Sequence, residues 1–149
     1  HDRFRMTLPP LLDALQACHR AHRARLAALL APHGLHPGQD TLLAVVWAEP
    51  GLRQVTLADR LGVEPATVSR VVERLERGGL LERRRDPHDA RLWRIHPTPR
   101  SRLLEAMVRR NWRELEDAIV AALGPADAEQ LGRLLSATAS ALTTPSEPG

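Results

Sequence analysis

Apolar residues recur along this chain mostly at three- and four-residue steps, which predicts a mainly α-helical protein with one short β-hairpin. Leu11, Leu15, Cys18, His22, Leu26 and Leu29 make one continuous stripe. The pattern predicts a long first helix from Pro9-Pro10, where a missing N–H costs nothing, to about Ala31, with Pro32 and Gly34 ending it. Arg20, Arg23 and Arg25 fall mostly off the stripe. An apolar face this long on a small domain needs a cover, and a second copy of the chain is the expected one.

A dense apolar run, Leu42, Leu43, Val45, Val46 and Trp47, predicts a central core helix from Pro37 to Glu49, broken by Pro50-Gly51. A short third helix follows between Leu52 and Leu61, with Leu57, Ala58 and Leu61 inward. Gly62-Val63 makes a turn, and Pro65 opens a fourth helix that ends at Gly78-Gly79. In it Val68, Val71, Val72 and Leu75 take the inner face, leaving Thr67, Ser69, Arg70, Glu73, Arg74 and Arg77 on or near the outer one. The segments 80–84 and 92–96 read as two strands around a tip, Arg85 to Arg91, in which Asp86-Pro87 and Asp89 are turn formers. Helix, glycine turn, helix and hairpin, concentrated in Thr56–His96, is the order of a winged helix-turn-helix, with the hairpin as its wing.

A further long helix is predicted from about Thr98 to Leu123, with Leu103, Leu104, Met107, Val108, Trp112, Leu115, Ile119 and Val120 as its apolar positions. Gly124-Pro125 separates it from a last helix striped by Leu131, Leu134, Leu135 and Leu142. The organisation expected is an N-terminal helix (1–34), a winged helix-turn-helix (35–97), and C-terminal helices with a tail (98–149). The tail from Thr143 is expected to fray, and His1–Arg5 reads as an expression remnant or a native leader.

Charge sharpens this picture only when it is located. The chain has no Lys and no Tyr, so a pI of 10.7 reflects missing titrating groups more than a strongly basic molecule. The net charge is +3, but residues 60–100 hold ten Arg against six acids. Positive charge therefore sits on the hairpin and the helix before it, as a nucleic-acid footprint would. A hydrophobic share of 43% excludes a disordered chain, and no apolar run approaches the ~20 residues of a membrane span. A cytoplasmic protein is expected. The single cysteine excludes an intrachain disulfide framework or a multi-cysteine zinc site. No nucleophile–base pair, phosphate loop or paired-carboxylate motif argues for an enzyme.

Four segments resemble the MarR (multiple-antibiotic-resistance-regulator) family of bacterial transcription regulators: Gly34–Pro37, Leu57–Val63, Thr67–Leu80 and the wing Asp86–Arg91. The resemblance implies an obligate homodimer, joined through dimerisation helices in 1–34 and 98–149, that acts as a repressor on a pseudo-palindromic operator in double-stranded DNA. It also implies regulation by a small aromatic or anionic effector in a cleft between dimer and DNA-binding regions. Arg53 and Glu64 stand where the family places good N-caps, each worth about 0.5–2 kcal/mol. Ala90 replaces the first of two wing arginines, and Pro97 and Ser101 replace a Leu and a Gly at the strand-to-helix junction.

On this reading Thr67, Ser69, Arg70 and Arg74 meet the major groove, about 12 Å wide, and adjacent phosphates. Arg91, held by Asp89, enters the minor groove, while Arg83, Arg84 and Arg85 neutralise phosphates. Cys18 is expected as a buried packing residue, with a peroxide-sensing thiol as the alternative. His19, His22, His33 and His36 invite a metal-sensing alternative, but no acid or cysteine stands at a persuasive spacing, and no metal or cofactor is assigned. His19, His36, Trp47 and Trp112 are candidates for the effector cleft, with core packing the competing role for the tryptophans. A winged helix used only as a protein-interaction scaffold is the remaining alternative, disfavoured by the Arg-rich outer face of the fourth helix.

Overall fold

The computed structural model describes residues 7–143, so His1–Arg5 and the tail beyond Thr143 lie outside the described residues. Its elements are α1 (Pro10–Leu30), closed by a 3-10 turn at Ala31–His33, α2 (Gln39–Ala48), α3 (Gln54–Leu61) and α4 (Pro65–Arg77). Then come β1 (Leu81–Arg85), β2 (Trp93–Pro97), α5 (Pro99–Arg102), α6 (Glu105–Leu123) and α7 (Pro125–Thr143). Two compact units part at Asn111–Trp112, within α6.

In the first unit the core is built by Leu30, Leu35, Leu42, Leu43, Val46, Leu57, Val68, Val72, Leu75, Ile95 and Val108, all essentially inaccessible. Periodicity gave the direction of each helix face but not its depth. Val45, Leu61 and Val71, expected inside, are half-buried, because they flank the core-facing line without lying on it. At Gly62, φ of 64° lets Val63 N–H return to Ala58 C=O, closing α3; Gly79, φ 74°, does the same for α4 through Leu80 N–H to Leu75 C=O. Neither Arg53 nor Glu64 caps the helix it precedes with its side chain.

The hairpin is antiparallel, with Leu81 opposite Pro97 and Arg85 opposite Trp93, one residue later than expected in both strands. A third piece of backbone joins it. Gly51 N–H donates to Ile95 C=O and Ile95 N–H to Leu52 C=O, both 2.8 Å, so the segment before α3 pairs with β2.

The helix expected over 98–123 is interrupted. Thr98 Oγ1 accepts from Ser101 N–H, Ser101 Oγ donates back to Thr98 C=O, and Leu104 N–H reaches only three residues back to Ser101 C=O. This tight turn ends α5 before α6 begins, and a three- or four-residue apolar repeat passes over such a break unchanged. The completely buried Ser101 also accepts a 3.2 Å bond from Trp47 Nε1, anchoring α5 to the core helix α2.

The terminal stripes are not buried within the protomer. On α1 only Leu26 and Leu30 are buried, Leu11 is 80% exposed, and Cys18, expected inside, is exposed. The reason is geometric: only the last turns of α1 reach the core, where Asn111 Nδ2 donates to Leu29 C=O at 3.0 Å. The second unit, by itself, leaves Leu123, Leu134, Leu135 and Leu142 exposed. Among the described residues, no helix is long and apolar enough to cross a membrane.

Ser101→Ala should leave the Trp47 indole N–H buried without an acceptor, costing about 1–3 kcal/mol. Denaturant unfolding would read this as a lower midpoint at unchanged slope; an unchanged midpoint would show that the bond contributes nothing.

Candidate nucleic-acid interface

Between residues 60 and 100 the exposed cations are concentrated on two elements, α4 and the hairpin. On α4, burial of Val68, Val72 and Leu75 turns Thr67, Arg70 and Arg74 to solvent, and these three line a shallow concavity floored by Val71. Ser69 is half-buried and stands back from them. Among the described residues, Arg70, Arg74 and Arg77 enter none of the ion pairs found. Small and polar groups thus lead and unpaired guanidiniums follow, a surface suited to a phosphate-lined groove.

The wing treats its arginines differently. Arg91 is directed outward, its side chain 90% exposed, and gripped at its base by Asp89: Nε to Oδ1 and Nη2 to Oδ2, each 3.1 Å. Asp89 Oδ1 also accepts the Arg91 backbone N–H at 3.1 Å. The bidentate bonds lower the Asp89 pKa and raise that of Arg91, so both stay charged. Arg83 is drawn back toward α4, Nε 3.5 Å from Glu76 Oε2; Arg84 pairs with Glu82; and Arg85 lies over the Trp93 ring while donating to Ala90 C=O.

Asp86 and Arg94 hold this loop, and neither was singled out as a site residue from the sequence. The Asp86 side chain is only 5% exposed; it pairs with Arg94 and accepts the backbone N–H groups of His88 (2.7 Å) and Asp89 (2.9 Å). Arg94 donates onward to Gly51 C=O at 2.9 Å, tying the tip to the loop before α3. The expected strands, 80–84 and 92–96, would set Arg84 against Leu92, so the Arg84–Arg94 opposition that calls for a nearby acid emerges only from the observed register. The arginine bond, followed by the amide bonds, lowers the Asp86 pKa to about 2. Burial, with the positive charge of Arg84 next, lowers that of His96, against a smaller upward pull from Glu82.

The remaining candidates are dispersed. Trp47 is core, bonded to Ser101 and 4% exposed; Trp112 is half-buried in the second unit; His19 and His36 are exposed. No group of three or more metal-ligating side chains occurs among the described residues.

Residues 35–92, from the turn before α2 through the wing tip, match the model of the MarR family. A probable transcriptional regulator from Pseudomonas aeruginosa shares 30% identity and a TM-score of 0.73 over 86% of this chain and 98% of its own. The chain belongs to the MarR family. The MarR-family fold extends beyond the matched segment: MepR of S. aureus, solved with DNA, superposes with a TM-score of 0.81 at 23% identity, covering 91% of this chain and 99% of its own. The transcriptional regulator TtmR of Methylorubrum extorquens is 36% identical over 92 residues, 62% of this chain and 45% of TtmR. The chain spans about half the length of the curated relatives it matches first.

For this MarR-family wing the Asp86 carboxyl gives a pH signature. An unfolded aspartate takes up its proton near pH ~3.9, whereas the folded one stays ionised down to about 2. Its stabilisation is complete above that unfolded value and is lost as the pH falls through about 2. NMR titration should therefore show the His88 and Asp89 amides moving near pH 2; movement centred near 4 would mean that Arg94 does not hold the carboxylate.

Proposed function

We propose that the protein is a transcriptional regulator that binds double-stranded operator DNA as a homodimer, α4 in the major groove and the wing in the minor groove. The observation that carries this reading is the wing tip: a fully charged guanidinium, held bidentately at its base and otherwise exposed, beside a helix of unpaired arginines. A cation so fixed enters a negative groove with little ordering cost. The MepR structure, solved with DNA on the same fold, supports the docking mode. Dimerisation is supported by leucines left exposed in each unit, Leu11 on α1 and Leu142 on α7 among them. Repression in the cytoplasm belongs to the same reading, with the three segments 1–34, 35–97 and 98–149 as dimerisation, DNA-binding and dimerisation regions.

Regulation by a small anion is supported by a second concavity behind α4, lined in part by His33, Gln39, Arg74 and Arg100. Arg74 lines both concavities, so an anion that engages it from behind competes with DNA in front.

A gel shift on the protein's own upstream DNA across a salt series tests the reading. Wild type should bind with a steep salt dependence, and Arg91→Ala should weaken binding and flatten the log–log slope by about one. Binding indifferent to salt would refute the reading, and an unaltered Arg91→Ala slope would remove that residue from the interface. Benzoate should weaken operator binding of wild type, and Arg100→Ala should bind DNA normally yet resist benzoate. Equal responses of the two proteins would exclude this concavity as the effector site.

A further inference from the structure

Arg85 and Trp93 are the last register pair of the hairpin before the tip. The Arg85 guanidinium carbon lies 4.4 Å from the indole centroid, and Nη1 of the same group donates to the Ala90 carbonyl. One planar cation thus ties the end of β1, the start of β2 and the residue directly before Arg91. Trp93 is 44% exposed, well outside the core that buries Ile95 two residues later on the same face of β2, so Arg85 supplies cover that the body of the domain does not. Arg85 spends its planar face and one donor inside the wing, whereas Arg91 is held from below and directed out.

We propose that Arg85 acts as a positioning residue, not a phosphate contact: its stack on Trp93 and its bond to Ala90 fix the path of the tip loop and thereby the direction of Arg91. This rests on the DNA-binding reading above. The two roles differ in electrostatic signature, since a phosphate contact contributes about 0.9 to the salt slope and a loop brace contributes none. They also differ in what replaces arginine, because lysine keeps the charge but loses the flat stack with a simultaneous carbonyl bond.

The experiment is an operator-binding salt series on wild type, Arg85→Lys, Arg85→Gln, Trp93→Leu, Trp93→Phe and the double variant Arg85→Gln/Trp93→Leu. Arg85→Lys, Arg85→Gln and Trp93→Leu should each weaken binding about two- to fivefold, equivalent to roughly 0.5–1 kcal/mol for an exposed cation–π contact, with the slope unchanged. The double variant should be no worse than either single one, and Trp93→Phe should bind nearly as wild type. Wild-type affinity in Arg85→Lys together with a flatter slope in Arg85→Gln would overturn the proposal in favour of a phosphate contact, as would no effect at all in Trp93→Leu. A second readout works without DNA: trypsin should cut after Arg91 faster in Trp93→Leu than in wild type, and equal rates would overturn the brace. If wild type fails to bind DNA while the cleavage difference appears, the DNA-binding reading fails and the brace stands.

Discussion

Two backbone hydrogen bonds, exchanged between Ile95 of β2 and the Gly51–Leu52 segment, fasten the wing to the helices. Without them a two-stranded hairpin of five-residue strands would be marginal in water. With them Ile95 is buried against the same core that holds the inner face of α4, so wing and helix move as neighbours of one packed interior. Arg94 repeats the connection a few ångströms outward, joining Asp86 at the tip to Gly51 C=O. The fold therefore places two cationic elements in a fixed relation even though α3 and α4 both begin without a side-chain cap.

An all-arginine vocabulary makes this possible. A guanidinium offers five donors in a rigid plane and a face that stacks, so the same residue type serves as brace and as probe. Arg94 braces through a buried carboxylate, Arg85 lies on an indole, and Arg91 is exposed above its acid. Arginine stays charged at every accessible pH, and the low pKa of Asp86 keeps the carboxylate at the centre of the tip ionised far below neutrality.

What could be read from the sequence was what repeats. The α4 pattern is legible because Val68, Val72 and Leu75 return to one side every three or four residues, and Gly62 is legible because its left-handed turn suits glycine. The α5–α6 break was hidden, since a local 3-10 step leaves apolar spacing intact, and Leu103 fell at an expected inner position yet is 78% exposed. The Asp86–Arg94 pair was hidden because eight residues separate its members and only correct strand register brings them together. Cys18 was misplaced because a stripe states which way a helix faces, not whether the same chain covers it. Of the arginines assigned to DNA, Arg83, Arg84, Arg85 and Arg91 each have a partner inside the protein, whereas Arg70 and Arg74 enter none of the ion pairs found among the described residues, a distinction that charge counting does not make.

The division of labour on α4 has an evolutionary consequence. Residues that fold the helix and residues that face outward alternate along it, so Thr67, Arg70 and Arg74 can be exchanged while Val68, Val72 and Leu75 go on holding the core. The three outward residues are neighbours on adjacent turns, so exchanges among them couple to one another while leaving the core-facing set in place. The wing lacks this freedom. Asp86, Arg94 and Gly51 form one connected set, so a change at any of them disturbs the others, and lineages descending from this chain should diversify through the helix while inheriting the wing nearly whole.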